Sequence, residues 1–581
     1  MGNYRNFSLA TYFIAGGTAN TTREKLEKDI AFFEKHMRLD KVYVEPFRGG
    51  VLASDEQIEM VKEVFAAHGI RTSGGLTTTI PDIEGMPVKQ RMYETFCYTD
   101  EAMLARLREA VERIAKHFDE FIIDDFFFNN CTCPTCRAAK AAYNEAHGIT
   151  DGSWAAFRMA LMQKVSEETV IAVAKAVNPS IHIIIKYPNW MEAFQETGYN
   201  PSQQPAVFDS IYTGTETRDP KHTDQHLPRY LSFSLMRYFE DLQPGKNGGG
   251  WFDPYDCQIL EHYLEQAYLT AFSKPKELMM FCFQSLVDTM NIAALGYQLD
   301  KLDAAMDHAG EVKAVPCYIP CDSQGEDNVQ DFLGMAGIPV ATTPFFPMEA
   351  KTLLLTQSSA YDPEIVDKLE QYLLGGGKAI VTSGFVAATL ERGLPRLTSI
   401  RLNGRKVAPS YYYVERKQGE VYFPHGVKPV QMPVVEFRNN ATWSYVKGVC
   451  GEENFAILLR DTYGPGQMLT LTVPDAYSDI RYWPVEALTR IRKEFAAEGD
   501  VYLDGPANIG LFCYDNDAFL LYPFASEQTE DARVLIHAPA KAEALVDCAW
   551  GRRIEPLYRT AEETVFALRT KVGQYRMYQV V

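Results

Sequence analysis

The chain has 581 residues and a formal net charge of −19, from 76 acidic and 57 basic side chains. That balance argues against a nucleic-acid partner, since phosphate binding needs a basic surface. No segment reaches the ~20 apolar residues of a membrane span, and 46% hydrophobic with 23% charged residues is the composition of a globular protein.

At roughly 150 residues per domain, the length suits three or four domains, or one large barrel with additions. Aromatic residues make up 12%, which suits a sugar-binding cleft as well as a large core. The 11 cysteines are unevenly spaced, which favours reduced thiols and a metal over a disulfide framework. The start, MGNYRNFSLATYF, lacks a charged n-region followed by an apolar h-region. A cytoplasmic location is expected, or a periplasmic one if a signal peptide has been removed.

Residues 9–14 (LATYFI) read as a first strand, and Thr21 or Thr22 can cap the helix after it. Residues 41–45 (KVYVE) form a second strand ending in Glu45, followed by Pro46-Phe47-Arg48. A helix over 55–68, a strand over 71–79 and a helix over 101–117 lead to the fourth strand, which opens FIIDDFFFNNCTCPTC at Phe121. A short apolar run after an amphipathic helix reads as a buried parallel strand.

The alternation continues with a helix over 154–177 and the strand IHIIIKY at 181–187, which carries Lys186. A strand over 207–213 leads into GTETRD, with Glu216 and Asp219. Then come a helix over 227–242, the strand end GGGWFD with Trp251 and Asp253, a helix over 257–272 and a strand over 278–284. Eight βα units in residues 1–310 predict a (β/α)8 TIM barrel, whose reactive groups sit at the C-terminal rim.

After 310 the pattern restarts as a small doubly wound α/β domain, 311–500. It shows strands at 312–319, 351–356 and 378–382, helices at 328–335 and 363–374, and a β-rich insertion at 398–450; its completion is expected near 477–495. GGGK at 375–378 follows a helix, so it is a C-cap and not a phosphate loop. Short alternating strands over 501–581 predict an antiparallel β-sandwich.

Two carboxylates, Asp124 and Asp125, end the fourth strand, and glycoside hydrolysis commonly uses two carboxyl groups flanking the bond. Adjacent strand residues point in opposite directions, so only one of the two is expected to face a sugar. Asp253 on strand seven is a second rim acid. Glu216 or Asp219 on strand six is the alternative partner. Trp251 is a candidate stacking surface, and Glu45, Arg48, Lys186 and Glu216 are candidate substrate-binding groups. His182, mid-strand, reads as a core histidine.

Cys131, Cys133 and Cys136 offer three thiolates in one loop, suited to tetrahedral Zn²⁺ with Cys97 on the same rim as fourth ligand. Four thiolates leave no position for water, so such a zinc is structural.

This C-x-C-x-x-C spacing beside a fourth-strand acid, with a cysteine upstream, resembles glycoside hydrolase family 42, the β-galactosidases. So does the order of barrel, amidotransferase-like α/β domain and small β domain. The resemblance implies a glycosidase acting on an oligosaccharide or glycoside, with Asp125 as acid/base, Asp253 as its partner and Asp124 orienting the acid. It also implies a structural zinc and a homo-oligomer, dimer or trimer. The chain departs from that family at the acids. Asp124-Asp125 stand where Asn-Glu is expected, and Asp253 stands where a glutamate is expected, which implies altered chemistry or specificity. Two other functions compete: a non-catalytic carbohydrate-binding barrel, and a lyase or isomerase using Lys186 as base.

Overall fold

The computed structural model describes residues 4–80, 94–219, 221–416, 419–424, 428–526 and 529–581. Eight parallel strands form a barrel: β1 (Ser8–Phe13), β2 (Lys41–Arg48), β3 (Arg71–Leu76), β4 (Glu120–Ile123), β5 (His182–Tyr187), β6 (Ser210–Gly214), β7 (Asn247–Phe252) and β8 (Glu277–Met280). Each pairs with its neighbour in sequence, and β8 pairs with β1 to close the ring.

Three of the barrel helices start where the sequence offers a cap. Thr22 accepts from the Lys25 amide at helix Arg23–Glu34, Ser54 from Gln57 at Asp55–Ala67, and Asp100 from Met103 at Glu101–His117. The single helix expected over 154–177 is interrupted. It runs as Ala155–Lys164, a wide π segment Val165–Ile171, and Ala172–Val177. At the junction the Ser166 hydroxyl donates to the Met162 carbonyl at 2.7 Å, a side-chain bond of the kind that competes with the helix ladder.

The barrel interior is a ring of Tyr12, Tyr43, Ile122, Ile184, Tyr212, Trp251 and Met279. Strand β3 contributes glycine there for a steric reason. A Cβ on Gly75 would lie 2.5 Å from the Tyr12 hydroxyl oxygen, so the tyrosine fits only because β3 yields the space.

The chain divides into two compact units, one of residues 1–219 and 243–303, the other of 220–242 and 304–581. The passage from β6 to β7, with helix Leu231–Leu242, therefore belongs to the second unit. There the Tyr230 hydroxyl donates to Val340 O at 3.0 Å and its ring stacks on Phe512.

The second unit is built on one nine-stranded sheet. Its parallel half holds β9 (Val315–Tyr318), β10 (Val340–Thr343), β11 (Thr352–Leu355), β12 (Lys378–Thr382) and the strand Gly466–Leu471. Strand β10 was not expected, because its four residues lie between Pro339 and Pro344, which mask so short a strand.

The sheet is completed by Gly466–Leu471. The segment expected to do so is instead a 3₁₀ turn, Tyr477–Tyr482, and a helix, Val485–Phe495. The β-rich insertion extends the same sheet in antiparallel fashion through Glu453–Tyr463, Trp443–Cys450 and Tyr411–Arg416. At the C-terminus, a six-stranded and a four-stranded antiparallel sheet share a core of Leu511, Phe519, Leu521, Ile536, Phe566 and Leu568, which makes a sandwich.

Candidate active site

Strand periodicity delivers polar groups to the rim. Side chains two apart on a strand share a face, so each interior ring residue predicts the next inward position. Tyr43 is followed by Glu45, Ile122 by Asp124, Ile184 by Lys186 and Trp251 by Asp253. Beyond Tyr212 the next inward position is Gly214, and then Glu216. Glu45, Asp124, Lys186, Glu216 and Asp253 are all buried.

Lys186 is the hub. Its Nζ lies 2.7 Å from Asp125 Oδ2, 3.1 Å from Glu216 Oε1 and 3.5 Å from Asp124 Oδ1. Asp124 and Asp125 thus converge on one ammonium, contrary to the expectation that neighbouring residues face opposite ways. Strand β4 ends at Ile123, and the alternation rule lapses where the pleat ends. The Asp125 amide donates to Asp124 Oδ1 at 2.8 Å, and the Tyr199 hydroxyl donates to the Asp125 carbonyl at 2.7 Å.

The two neighbouring aspartates are driven apart electrostatically. Burial raises the Asp124 carboxyl, but Lys186 and Arg48 outweigh it and hold the group below its ordinary range. Arg48 Nη2 donates to Asp124 at 2.7 Å, and Arg48 Nε donates to Glu45 at 2.8 Å. For Asp125, burial is again the largest influence. Lys186 opposes it, the Asp124 and Glu216 charges reinforce it, and the carboxyl is pushed up to about 8. One ammonium does not neutralise three acids, so one acid keeps its proton.

Lys186 itself is held above its ordinary value: burial disfavours the ammonium, but Asp125, Glu216 and Asp124 more than compensate. A lysine kept cationic in this way is a poor base, which corrects the reading of Lys186 as a lyase or isomerase base.

Glu45 is fully committed. It accepts from the Tyr12 hydroxyl at 2.7 Å, the Ala15 amide at 2.8 Å, Arg48 and Thr77. Those bonds make it a framework for Arg48 and not an open ligand for a sugar.

Trp251, the candidate stacking surface, is buried. Its residue is 2% exposed, with the ring stacked on Phe281 at 4.8 Å and Lys186 Nζ 4.0 Å above it. It forms a floor beneath the lysine.

Asp253, the residue after β7, sits in a two-point ion pair, with Arg218 Nε at 2.8 Å and Nη2 at 2.6 Å. Burial holds this carboxyl above its ordinary range; Arg218 counters it only in part, and the Glu216 charge adds to the rise. Arg218 takes a φ of 51°, an uncommon conformation for a residue other than glycine. Sequence reasoning missed Arg218, although a cation in the acid-bearing loop GTETRD was a visible signal. Asp219 lies apart, its Oδ2 3.2 Å from His262 Nδ1. His182 Nε2 is 2.6 Å from Ser210 Oγ, in keeping with a structural role.

Six residues beyond Asp125 the cysteine cluster begins. The Sγ atoms of Cys97, Cys131, Cys133 and Cys136 all lie within 4.8 Å of one another and are buried. Cys97 Sγ is 3.7 Å from Cys133 Sγ and 3.6 Å from Cys136 Sγ. A tetrahedron with Zn–S of about 2.3 Å has edges of about 3.8 Å, so the donor set and spacing fit a metal. Cys133 also caps helix Pro134–His147, accepting from the Cys136 amide.

The family model described as probable glycosyl hydrolase, catalytic domain, matches residues 1–314. The chain belongs to this family. Two further models match it, one described as the second domain of the uncharacterized protein SSO3021 over 307–476, the other as the probable glycosyl hydrolase C-terminal domain over 500–580. The uncharacterized protein SSO3021 of Saccharolobus solfataricus is 26% identical over 526 residues, covering 84% of this chain and 86% of its own.

Among solved structures, Gan42B, a GH42 β-galactosidase from G. stearothermophilus, superposes with a TM-score of 0.64 at 12% identity, covering 99% of each chain. Alpha-L-fucosidase isoenzyme 2 from Paenibacillus thiaminolyticus gives 0.64 at 12% identity, covering 100% of this chain and 99% of that one. The fold of this probable glycosyl hydrolase is thus GH42-like over its whole length. Among the described residues, no helix is long and apolar enough to cross a membrane.

Proposed function

We propose that the protein is a retaining or inverting O-glycosidase, acting on an oligosaccharide or glycoside, with Asp125 as general acid/base and Asp253 as the second carboxylate. The observation that carries this reading is the Lys186 cluster, in which burial and the Asp124 and Glu216 charges push the Asp125 carboxyl up to about 8. A general acid needs that property near neutrality. Its side chain is also the most open of the three, 16% exposed against 2% for Asp124 and 7% for Glu216. Asp253 suits the second role by its position, because Arg218 pairs with both its oxygens and fixes the carboxyl in place. Asp124, pinned by Arg48, orients the acid.

The four cysteines would hold a structural Zn²⁺, which would tie the loop after β4 to the loop carrying Cys97. A homo-oligomer and a reducing, cytoplasmic setting are part of the same proposal; none of the 11 cysteines is joined in a disulfide, which supports the setting.

The test is turnover of a panel of aryl glycosides by wild type, Asp125→Asn and Asp253→Asn, with the fold checked by circular dichroism. Each variant should lose at least about 100-fold in kcat. Full activity in Asp253→Asn would move the second role away from strand seven. Sugar binding without turnover in the wild type would favour the non-catalytic barrel. The anomer released first, read by proton NMR, separates retention from inversion.

A further inference from the structure

Glu216 is the one member of the Lys186 cluster that the proposed chemistry leaves without a task. It lies two residues past β6, and its Oε1 is 3.1 Å from Lys186 Nζ. Its Oε2 is buried and has no hydrogen-bond partner among the described residues, so the side chain's hydrogen bond is the one from Lys186. The backbone holds it there, because Asn189 Nδ2 donates to the Glu216 carbonyl at 2.7 Å. A glycine makes the room: a Cβ at Gly214 would come within 2.8 Å of Glu216 Oε2 and 3.3 Å of the Asn189 amide nitrogen.

We infer that Glu216 is a positioning residue for Asp125 that acts through Lys186, taking up one of the ammonium's three N–H donors and adding a fixed negative charge beside the acid. The inference rests on the reading of Asp125 as the acid. Lys186 has three donors and three carboxylate neighbours, so its attraction is shared. Without the Glu216 charge, the ammonium would serve Asp125 more fully and the acid would give up its proton sooner.

The other charges facing this group are accounted for. Arg48 is bound to Asp124 and Glu45 from β2, and Arg218 is bound to Asp253 at the end of β7. Both cations are already paired. Removing Glu216 therefore changes the balance at Lys186 while leaving those ion pairs made. The Glu216 charge also bears on Asp253 and Arg218, and the emission of Trp251, beside Lys186, reads the Lys186 side of that change. A carboxylate retained for this purpose also explains a buried oxygen with no donor, which otherwise costs stability.

Two readouts test this, one of them independent of any substrate. Lys186 Nζ lies 4.0 Å above the Trp251 ring, so ionisation of Asp125 changes the field at that indole and hence its emission. With 6 tryptophans in the chain, the Trp251 signal is isolated as the difference from Trp251→Phe. In Glu216→Gln, the midpoint of the emission change and the alkaline limb of kcat/KM on an active aryl glycoside should both move to lower pH by about one unit. Gly214→Ala, which displaces the carboxylate but keeps its charge in the chain, should move both in the same direction.

Asp125→Asn should abolish the emission change. If it does, and neither Glu216→Gln nor Gly214→Ala moves the midpoint, the role of Glu216 is refuted while Asp125 stands. If Glu216→Gln loses turnover at every pH with an unmoved midpoint, Glu216 acts on the substrate and the inference fails. If Asp125→Asn keeps both the emission change and the activity, the reading of Asp125 fails and takes this one with it.

Discussion

Asp124 and Asp125 are neighbours in the chain, yet their proton affinities are driven in opposite directions, because Arg48 reaches one and three acids share the lysine that reaches the other. This has a consequence for stability. An Asp is half-ionised near about 3.9 when unfolded, against about 8 for Asp125 in the folded barrel. Across that window the folded state binds the extra proton, so the contribution of Asp125 to stability declines as pH rises from about 4 to about 8. Asp124 works the other way: its stabilisation is present above its unfolded value and is lost as pH falls through its lowered folded one. Asp125→Asn cannot ionise. Its urea midpoint relative to wild type should therefore be higher at pH 8 than at pH 5. An equal difference at both pH values would mean that Asp125 titrates in the folded state as it does in the unfolded one.

The loop after β4 is the element that joins chemistry to scaffold. It begins with the acid pair and ends in the helix capped by Cys133, and its hydrophobic members Phe127 and Phe128 are buried. Four thiols packed within 4.8 Å repel one another once ionised unless a cation sits among them. Purified protein should therefore carry about one Zn²⁺ per chain, lost in the Cys131→Ser, Cys133→Ser double variant, together with several kcal/mol of stability, since metal-binding energy is folding energy. Rapid, complete reaction of all 11 thiols with a thiol reagent in the native protein as purified would count against a metal. The spacing of these cysteines was legible in the sequence because a chelating loop is local. The fourth member, Cys97, was legible only by assuming that the loops after strands three and four share a rim.

At the scale of the molecule, the chain leaves the first unit after residue 219 and returns to it at 243. Helix Leu231–Leu242 buries Leu231, Phe233, Leu235, Met236 and Phe239, and its partners in the second unit include Asp331, which binds the Ser234 hydroxyl, and the Thr342 hydroxyl, which donates to Ser234 O. A fragment ending at residue 310 lacks those partners. Each large apolar side chain left uncovered forfeits about 1.5–3 kcal/mol. Such a fragment should bind a hydrophobic dye and aggregate, as light scattering would record. A monodisperse fragment with a cooperative unfolding transition would show that the barrel is independent.

What the sequence determined by itself is whatever depends on period and spacing. Eight apolar runs separated by amphipathic helices are enough to specify parallel βα units, and the residue at each strand end could be named because the side-chain period is two. The cysteine triplet Cys131, Cys133 and Cys136 and the order of the three architectures belong to the same class. What only the tertiary structure decided is how groups from different strands share charge. Asp125, Lys186 and Glu216 are 30 or more residues apart in the chain, and nothing local announces that one ammonium serves all three acids. Nor could a pattern reveal that Trp251 is roofed by Lys186, that Glu45 is spent on Arg48 and Tyr12, or that Arg218 grips Asp253. Burial and Coulomb energy depend on distance through space, and that distance is a property of the closed barrel and not of any stretch of its sequence.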